Sequence, residues 1–196
     1  MQVDIYDFDK TMLPFDSGSR FYLYCLLRYP WIIVTLPLQA AAGLLAAVRL
    51  LPLVQAKRAF FLFIKLIPLN KAVKSFWDKY EPLIYEFVRP QNRARFTVVI
   101  SASPDFLLKE IAERLRFDAL LCSRFDPKTL KPISANCKGE EKVARFRQAF
   151  PGAQVDSVYS DSLKHDRPIF SLGRHCFHIV NGQRIPFVFS EIDTIK

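Results

Sequence analysis

The 196-residue chain is poor in cysteine and has no internal repeat and no low-complexity linker. Its four cysteines, Cys25, Cys122, Cys137 and Cys176, are scattered and form no C-x-x-C pair. A disulfide framework is therefore excluded, and the four read as reduced thiols of a cytoplasmic protein. No cleavable leader is expected, because Met1 runs straight into an acidic, apolar segment. With 51% hydrophobic and 24% charged residues, the chain is neither disordered nor collagen-like. Its length suits one domain, or one domain with an insertion, and is enough to bury a core without staples.

Charge is present but unevenly spread. The formal net charge is +9, and residues 20–95 alone carry 12 Lys+Arg against 3 Asp+Glu. The flanks cancel: residues 1–19 sum to −3 and residues 96–196 to +3. Both tryptophans, Trp31 and Trp77, fall in the basic segment. A basic, aromatic, apolar stretch inside a neutral frame implies two structural units, 1–15 with 96–196 as a core and 16–95 as an insert.

Val3–Phe8 reads as a strand ending in acidic residues, and Phe96–Ser101 as a strand buried on both faces. Between them, apolar runs broken by Pro30, Pro37, Pro52, Pro68 and Pro82 predict helices only. Beyond Ser101 the pattern alternates. Pro104–Leu115 reads as a helix, Asp118–Cys122 as a strand, and Gly139–Phe150 as a helix with Glu140 and Glu141 favourably in its first turn. Gln154–Tyr159 reads as a strand, followed by a short helix near Pro168 and a hairpin through Asn181-Gly182. The fold class is α/β: a parallel sheet with an all-helical insert after its first strand.

Tyr29–Val48 is 20 residues without a charge, flanked by Arg28 and Arg49. As a helix it would span about 30 Å, the thickness of a bilayer core. One crossing would put the first strand and the rest of the sheet on opposite sides of a membrane, so a single span is excluded. A return span is poorly supported, since Ala59–Leu69 is 11 residues long and contains Lys65. Two readings stay open: a re-entrant or interfacial helical hairpin, or a soluble cap whose apolar faces pack on one another.

The candidate chemistry begins at Asp7-Phe8-Asp9-Lys10-Thr11. Carboxylates at i and i+2 leave a strand end on the same side, where they can share a cation or divide nucleophile and acid roles. Alone, such a motif is more often a solvated turn. Three further features fall at strand carboxyl ends or just before helices, where an open α/β sheet places its site. Ser101 ends V-V-I-S-A-S-P and, with the following amides, suits a phosphate; Ser103 is the alternative as a simple helix cap. Lys138 stands immediately before a helix in N-C-K-G-E-E-K-V. Asp161 ends V-D-S-V-Y-S-D, with Asp166 five residues on.

In this order and spacing, the four elements resemble the haloacid dehalogenase (HAD) superfamily of phosphohydrolases across nearly the whole chain. The insert after the first motif resembles subclass IB, the phosphoserine phosphatase-like group. The stretches around Asp7, Lys138 and Asp161 look most like its phosphatidylglycerophosphatase C branch. Two departures are Lys10, where many members have Gly, and four rather than three residues between Asp161 and Asp166. The resemblance implies a Rossmann-like core and a Mg²⁺-dependent phosphomonoester hydrolase. In it Asp7 is the nucleophile and Asp9 the general acid and base. Asp7 and Asp161, with the Asp9 carbonyl, hold Mg²⁺. Ser101 and Lys138 bind phosphoryl oxygens, Lys138 also countering the charge on Asp7. Thr11 orients the loop, and Asp166 supports the metal or Lys138.

For the substrate, Asp16 lies where phosphoserine phosphatases carry a glutamate that contacts the substrate amine. Against a small substrate stand Trp31, Phe60, Phe61, Phe63 and Trp77 with Arg28, Arg49, Lys57 and Arg58, which suit the boundary between anionic headgroups and acyl chains. The expectation is a lipid-headgroup phosphate such as phosphatidylglycerophosphate, met at the cytoplasmic face of an anionic membrane through the cap. A soluble, phosphoserine-like ester is the alternative, and a non-catalytic membrane-surface or nucleic-acid binding module on this framework is a second. No nucleic-acid partner is expected, since no such module is present. His175-Cys176-Phe177-His178 is not expected to bind metal, because neighbours on a strand point to opposite faces.

Overall fold

The computed structural model describes residues 1–194; residues 195–196 of the expected core lie outside the described residues. Six strands form one sheet in the order β3-β2-β1-β4-β5-β6. They are β1 (Gln2–Tyr6), β2 (Phe96–Pro104), β3 (Ala119–Ser123), β4 (Gln154–Ser160), β5 (Gly173–Val180) and β6 (Gln183–Phe187). All pairings are parallel except β5 with β6. That exception is the Asn181-Gly182 hairpin, whose residues adopt φ of 50° and 80°, as a two-residue turn demands. The mixed α/β class and parallel-dominated sheet agree with the sequence.

Seven α-helices surround the sheet among the described residues: α1 (Ser17–Arg28), α2 (Leu36–Ala47), α3 (Leu53–Phe60), α4 (Leu69–Tyr80), α5 (Asp105–Arg114), α6 (Glu140–Ala149) and α7 (Arg167–Phe170). The elements from α1 to Pro90–Asn92 are all helical, with no strand between β1 and β2 among the described residues. Each face of the sheet has its own core. On one face Val3, Ile5, Val98, Val143, Phe146, Val158 and Phe170 pack together, joining α6 and α7 to the strands. On the other, Tyr6, Phe8, Met12, Val99 and Leu108 merge with Phe21, Phe63, Phe76 and Trp77 of the insert. The insert is thus continuous with the core's packing. The Trp77 indole N–H donates to the Leu107 carbonyl at 2.8 Å, tying α4 to α5.

Three rings in register cross the sheet on the insert side. Tyr6 stacks on Tyr159 at 4.3 Å and Tyr159 on Phe177 at 4.8 Å, following the strand pairing. Such same-face neighbours are the unit of sheet stabilisation. One expectation is corrected here. Of the aromatics assigned to a membrane boundary, Phe61, Phe63 and Trp77 are buried and Phe60 is half-buried, which leaves Trp31 exposed. Their rings fill the shared core, the largest apolar area available to them.

Candidate active site

β1 lies at the centre of the sheet, with β2 on one side and β4 on the other. The strand order reverses there, and the crevice beyond the carboxyl ends of such strands is where open α/β sheets bind ligands. A cavity of about 380 Å³ occupies that crevice, lined by Asp7, Asp9, Lys10, Asp16, Ser101, Ala102, Lys138, Lys142, Asp161, Ser162, His165 and Asp166. A larger hollow of about 740 Å³ opens at the amino ends of β4 and β5, between Arg147, Phe150, Gln154 and Arg174, without a carboxylate in its lining.

Asp7 follows β1 directly, its amide donating to the Tyr159 carbonyl of β4 at 2.9 Å. Its carboxylate is buried. Oδ1 accepts from the Lys142 ammonium at 2.6 Å, and Oδ2 from the Thr11 hydroxyl at 3.3 Å. Thr11 Oγ1 in turn accepts the Asp161 amide at 2.9 Å, so one hydroxyl links the ends of β1 and β4. Burial pushes the Asp7 carboxyl up to about 7, with Lys142 opposing that rise and Asp166 adding to it.

Lys142 is the residue that the sequence reading missed. The ammonium facing Asp7 was assigned to Lys138, but Lys138 is exposed on the rim of the cavity while Lys142 is 3% exposed. Lys142 Nζ lies 2.6 Å from Asp7 and 2.8 Å from Asp166, bridging the two carboxylates. Asp166 accordingly supports Lys142 and not Lys138, and it also accepts from the Ser160 hydroxyl at 2.6 Å. Burial alone would lower the ammonium's pKa; the Asp7 and Asp166 carboxylates outweigh it and hold Lys142 above its ordinary value. A signal existed. On α6 the inward residues are Lys142, Val143 and Phe146, so helical periodicity puts Lys142 on the buried face.

Asp9 is fixed from two other elements. Oδ1 accepts the Ser17 amide at 2.6 Å, at the first turn of α1, and Oδ2 accepts the Ser103 hydroxyl at 2.5 Å. Burial and then the nearby Asp16 raise its pKa, favouring the protonated acid. Ser103 thus does not cap α5, whose N-terminus has no side-chain cap. Its amide instead donates to Ser101 Oγ at 3.0 Å, leaving the Ser101 hydroxyl proton for a ligand. Asp16 is exposed and caps α1, accepting the Ser19 amide at 2.7 Å. Lys57 of α3 reaches into the core, donating to Asn136 Oδ1 at 2.7 Å and to the Ala102 carbonyl at 3.2 Å.

Both sequence departures have a local account. Lys10 adopts a φ of 58°, the left-handed region where glycine is the ordinary occupant. The longer spacing to Asp166 is absorbed by a turn in which its amide donates to the Ser162 carbonyl at 3.0 Å. His178 Nε2 donates to the Asp161 carbonyl at 3.0 Å, steadying that turn. His175 and Cys176 stand on β5 with His175 exposed and Cys176 buried, and do not converge.

A hard divalent cation fits this donor set. Five carboxylates and three lysines line the cavity, an excess of two negative charges, and oxygen is the only donor type that Asp7, Asp161 and the Asp9 carbonyl offer. Burial, then Asp166, raises the Asp161 carboxyl, with Lys10 opposing the rise. Among the described residues no three His, Cys, Asp or Glu side chains converge as a metal-binding group. Two carboxylates and a backbone carbonyl do not require one.

A centrally placed carboxylate, held by a buried lysine at the switch point of a parallel sheet, is the arrangement of an α/β enzyme's site. Residues 5–171 match the family model of the haloacid dehalogenase-like hydrolases, and the chain belongs to that family. It is an enzyme of the hydrolase class. No curated protein matches the chain. Among solved structures, a protein of unknown function from Bordetella pertussis Tohama I superposes with a TM-score of 0.63 at 17% identity, over 80% of this chain and 81% of that one. An apo phosphoserine phosphatase gives 0.54 at 15% identity, over 89% and 84%. A HAD family hydrolase from Salmonella enterica subsp. enterica serovar Typhi gives 0.55 at 10% identity, over 88% and 60%. At these identities the likeness is one of fold.

Proposed function

We propose that the protein is a Mg²⁺-dependent phosphomonoester hydrolase acting through an aspartyl-phosphate, on a phosphate carried by a lipid headgroup. The observation that supports the chemistry most directly is Asp7, held between Lys142 and Thr11 with Asp9 poised beside it. Asp7 Oδ attacks phosphorus in line as the P–O bond to the alcohol breaks, and the phosphoryl group passes to the carboxylate. Asp9, whose pKa burial raises, gives its proton to the departing alkoxide. It then takes one from the water that cleaves the acyl phosphate and frees Asp7 and inorganic phosphate. Ser101 donates its hydroxyl to a phosphoryl oxygen, and Lys138, on the rim, offers a second positive charge. Lys142 opposes the rise in the Asp7 pKa that burial causes, and holds the carboxylate in its orientation. Mg²⁺ held by Asp7, Asp161 and the Asp9 carbonyl would neutralise the approach of an anion to an anionic phosphate.

The lipid substrate rests on the insert. From Ser17 to Trp77 there is no acidic residue, against eight Lys+Arg. A basic, apolar cap over the site suits a phosphomonoester such as phosphatidylglycerophosphate at the cytoplasmic face of a membrane. It also agrees with the resemblance to the phosphatidylglycerophosphatase C branch. The second reading, a small soluble ester such as phosphoserine, is favoured by the Asp16 carboxylate on the cavity wall.

Phosphate release from phosphatidylglycerophosphate micelles and from phosphoserine, compared under identical conditions with Mg²⁺, tests the substrate. Preference for phosphoserine overturns the lipid reading. Asp7→Asn is expected to abolish turnover of both and of p-nitrophenyl phosphate while the circular dichroism spectrum is kept. Substantial residual activity would sink the aspartyl-phosphate route.

A further inference from the structure

The segment Pro30–Ala47 is long and apolar enough to cross a membrane, yet β1 and β2 on either side of the insert pair in parallel within one sheet. The insert therefore begins and ends on the same side as the core, and among the described residues no second segment is long and apolar enough to return across a membrane. The polarity of Pro30–Ala47 is inverted. The residues turned inward are Ile32, Thr35, Gln39, Ala42 and Ala46, spaced three or four apart. Two of these are polar and satisfied inside: Thr35 Oγ1 donates to the Ile32 carbonyl at 2.8 Å, and Gln39 accepts from Tyr22 and donates to the Phe60 carbonyl. The residues turned outward are Val34 (70% exposed), Leu38, Leu44 (67%), Leu45, Val48 and Leu50 (75%). A helix in water does the opposite, and a contiguous exposed apolar patch of this kind marks an interaction surface.

Charge decides what covers it. Arg28, Arg49, Arg58 and Lys65 are exposed around the patch, and none makes a salt bridge among the described residues. Arg49 sits at the tip of the α2–α3 hairpin in the left-handed region, with a φ of 62°. Its amide and that of Leu50 close the end of α2 onto the Ala46 and Leu45 carbonyls. A second copy would bring cations against cations, since Ser17–Trp77 holds no carboxylate to answer them. An anionic lipid surface supplies both an apolar interior and the opposite charge.

We infer that α2 and the turn before it lie in the plane of an anionic bilayer, with Val34, Leu38, Leu44, Leu45, Val48 and Leu50 in the acyl region and Arg28, Arg49, Arg58 and Lys65 among the headgroup phosphates. This deepens the lipid-headgroup reading and rests on it for its purpose: docking would hold the site against the sheet of molecules that it hydrolyses.

The chain reports on itself. Trp31 is 54% exposed beside the patch, while Trp77 is fully buried. The test is flotation of the full chain with phosphatidylglycerol/phosphatidylcholine vesicles and with pure phosphatidylcholine vesicles. Tryptophan emission is recorded in the wild type, in Trp31→Phe, and in the triple variant Val34→Gln/Leu38→Gln/Leu45→Gln. The wild type is expected to float with the anionic vesicles and shift its emission to the blue. Trp31→Phe should float without the shift, and the triple variant should partition at least tenfold more weakly. Hydrolysis of p-nitrophenyl phosphate in detergent-free buffer should be equal in all three, which separates a failed surface from a failed catalytic reading. Three results overturn the proposal: no wild-type flotation on anionic vesicles, equal flotation of the triple variant, or a concentration-dependent dimer that shields Trp31 without lipid.

Discussion

Lys142 has no competing role as a surface charge, because it is buried between two carboxylates. Replacing it leaves Asp7 and Asp166 facing each other without a cation, and breaking such a buried pair costs about 3–5 kcal/mol. Lys142→Ala should therefore lower both the denaturation midpoint and turnover, the latter by roughly 10²–10³-fold. Lys138→Ala, which removes an exposed charge worth about 1 kcal/mol or less, should leave stability unchanged and cost less than tenfold in turnover. Steady-state kinetics with urea titrations of both variants checks the pair. Lys138 as the more damaging loss would restore the assignment made from the sequence.

The same carboxylate sets a pH dependence. Burial raises Asp7 to about 7 in the metal-free protein, so protons and a cation compete for it near neutrality. Holding a divalent cation requires the ionised form, which grows as pH rises. The apparent Mg²⁺ affinity should therefore climb between about pH 6 and pH 8 and flatten above. The sign for stability is the reverse. A folded-state pKa above the unfolded 3.8 stabilises the metal-free fold fully below that value, and this contribution is lost as pH rises through about 7. Mg²⁺-induced shifts in melting temperature, measured at both pH values, test this; equal shifts would contradict it.

At the scale of elements, the strands were the legible part. Val3–Phe8, Phe96–Ser101, Gln154–Tyr159 and the Asn181-Gly182 hairpin each announce themselves through β-branched runs or turn chemistry, and each forms within two residues of its expected place except β2, which runs three residues further, to Pro104. What alternation cannot show is which lysine near a helix start turns inward. That depends on the helix phase, set by the first residue, and Lys138 and Lys142 straddle it. Gly139 marks the boundary with φ 60° and ψ −130°, a region essentially closed to other residues. It lets the chain turn into α6 so that Lys142 meets Asp7. Gly139→Ala should cost about 1–3 kcal/mol in stability, and it should reduce kcat as well, because α6 would enter at a different angle. A loss of stability with full kcat would separate the turn from the lysine's placement. Ser103 and Ser17 were likewise unreadable, since their contacts to Asp9 come from residues 94 and 8 positions away.

Viewed as a whole, the molecule does not divide where its charge divides. The sequence marks residues 16–95 as a separate basic unit, yet Phe8 of the first motif packs edge-on against Trp77 with centroids 5.9 Å apart. Met12, Leu13 and Leu108 share that cluster with Phe21 and Phe76. Composition reports charge, which lies on the surface; the core that joins the two units is apolar on both sides and carries no mark of the boundary. Unfolding should therefore be a single cooperative transition. Both tryptophans sit in the insert, so their emission follows the insert while circular dichroism follows every element. The two denaturation curves should coincide, and a separate early fluorescence transition would show an insert that melts alone.

The position of β1 also governs the order in which the protein is assembled. It precedes the other strands of its sheet in the sequence and is central among them, but its partners β2 and β4 begin at Phe96 and Gln154. At synthesis rates of about 5–20 residues per second, the nucleophile's strand waits roughly 5–20 s for its first neighbour. During that interval the outward-facing leucines of α2, Leu38, Leu44 and Leu45, are already present. A chain with this strand order closes its active site only after the whole insert has been made.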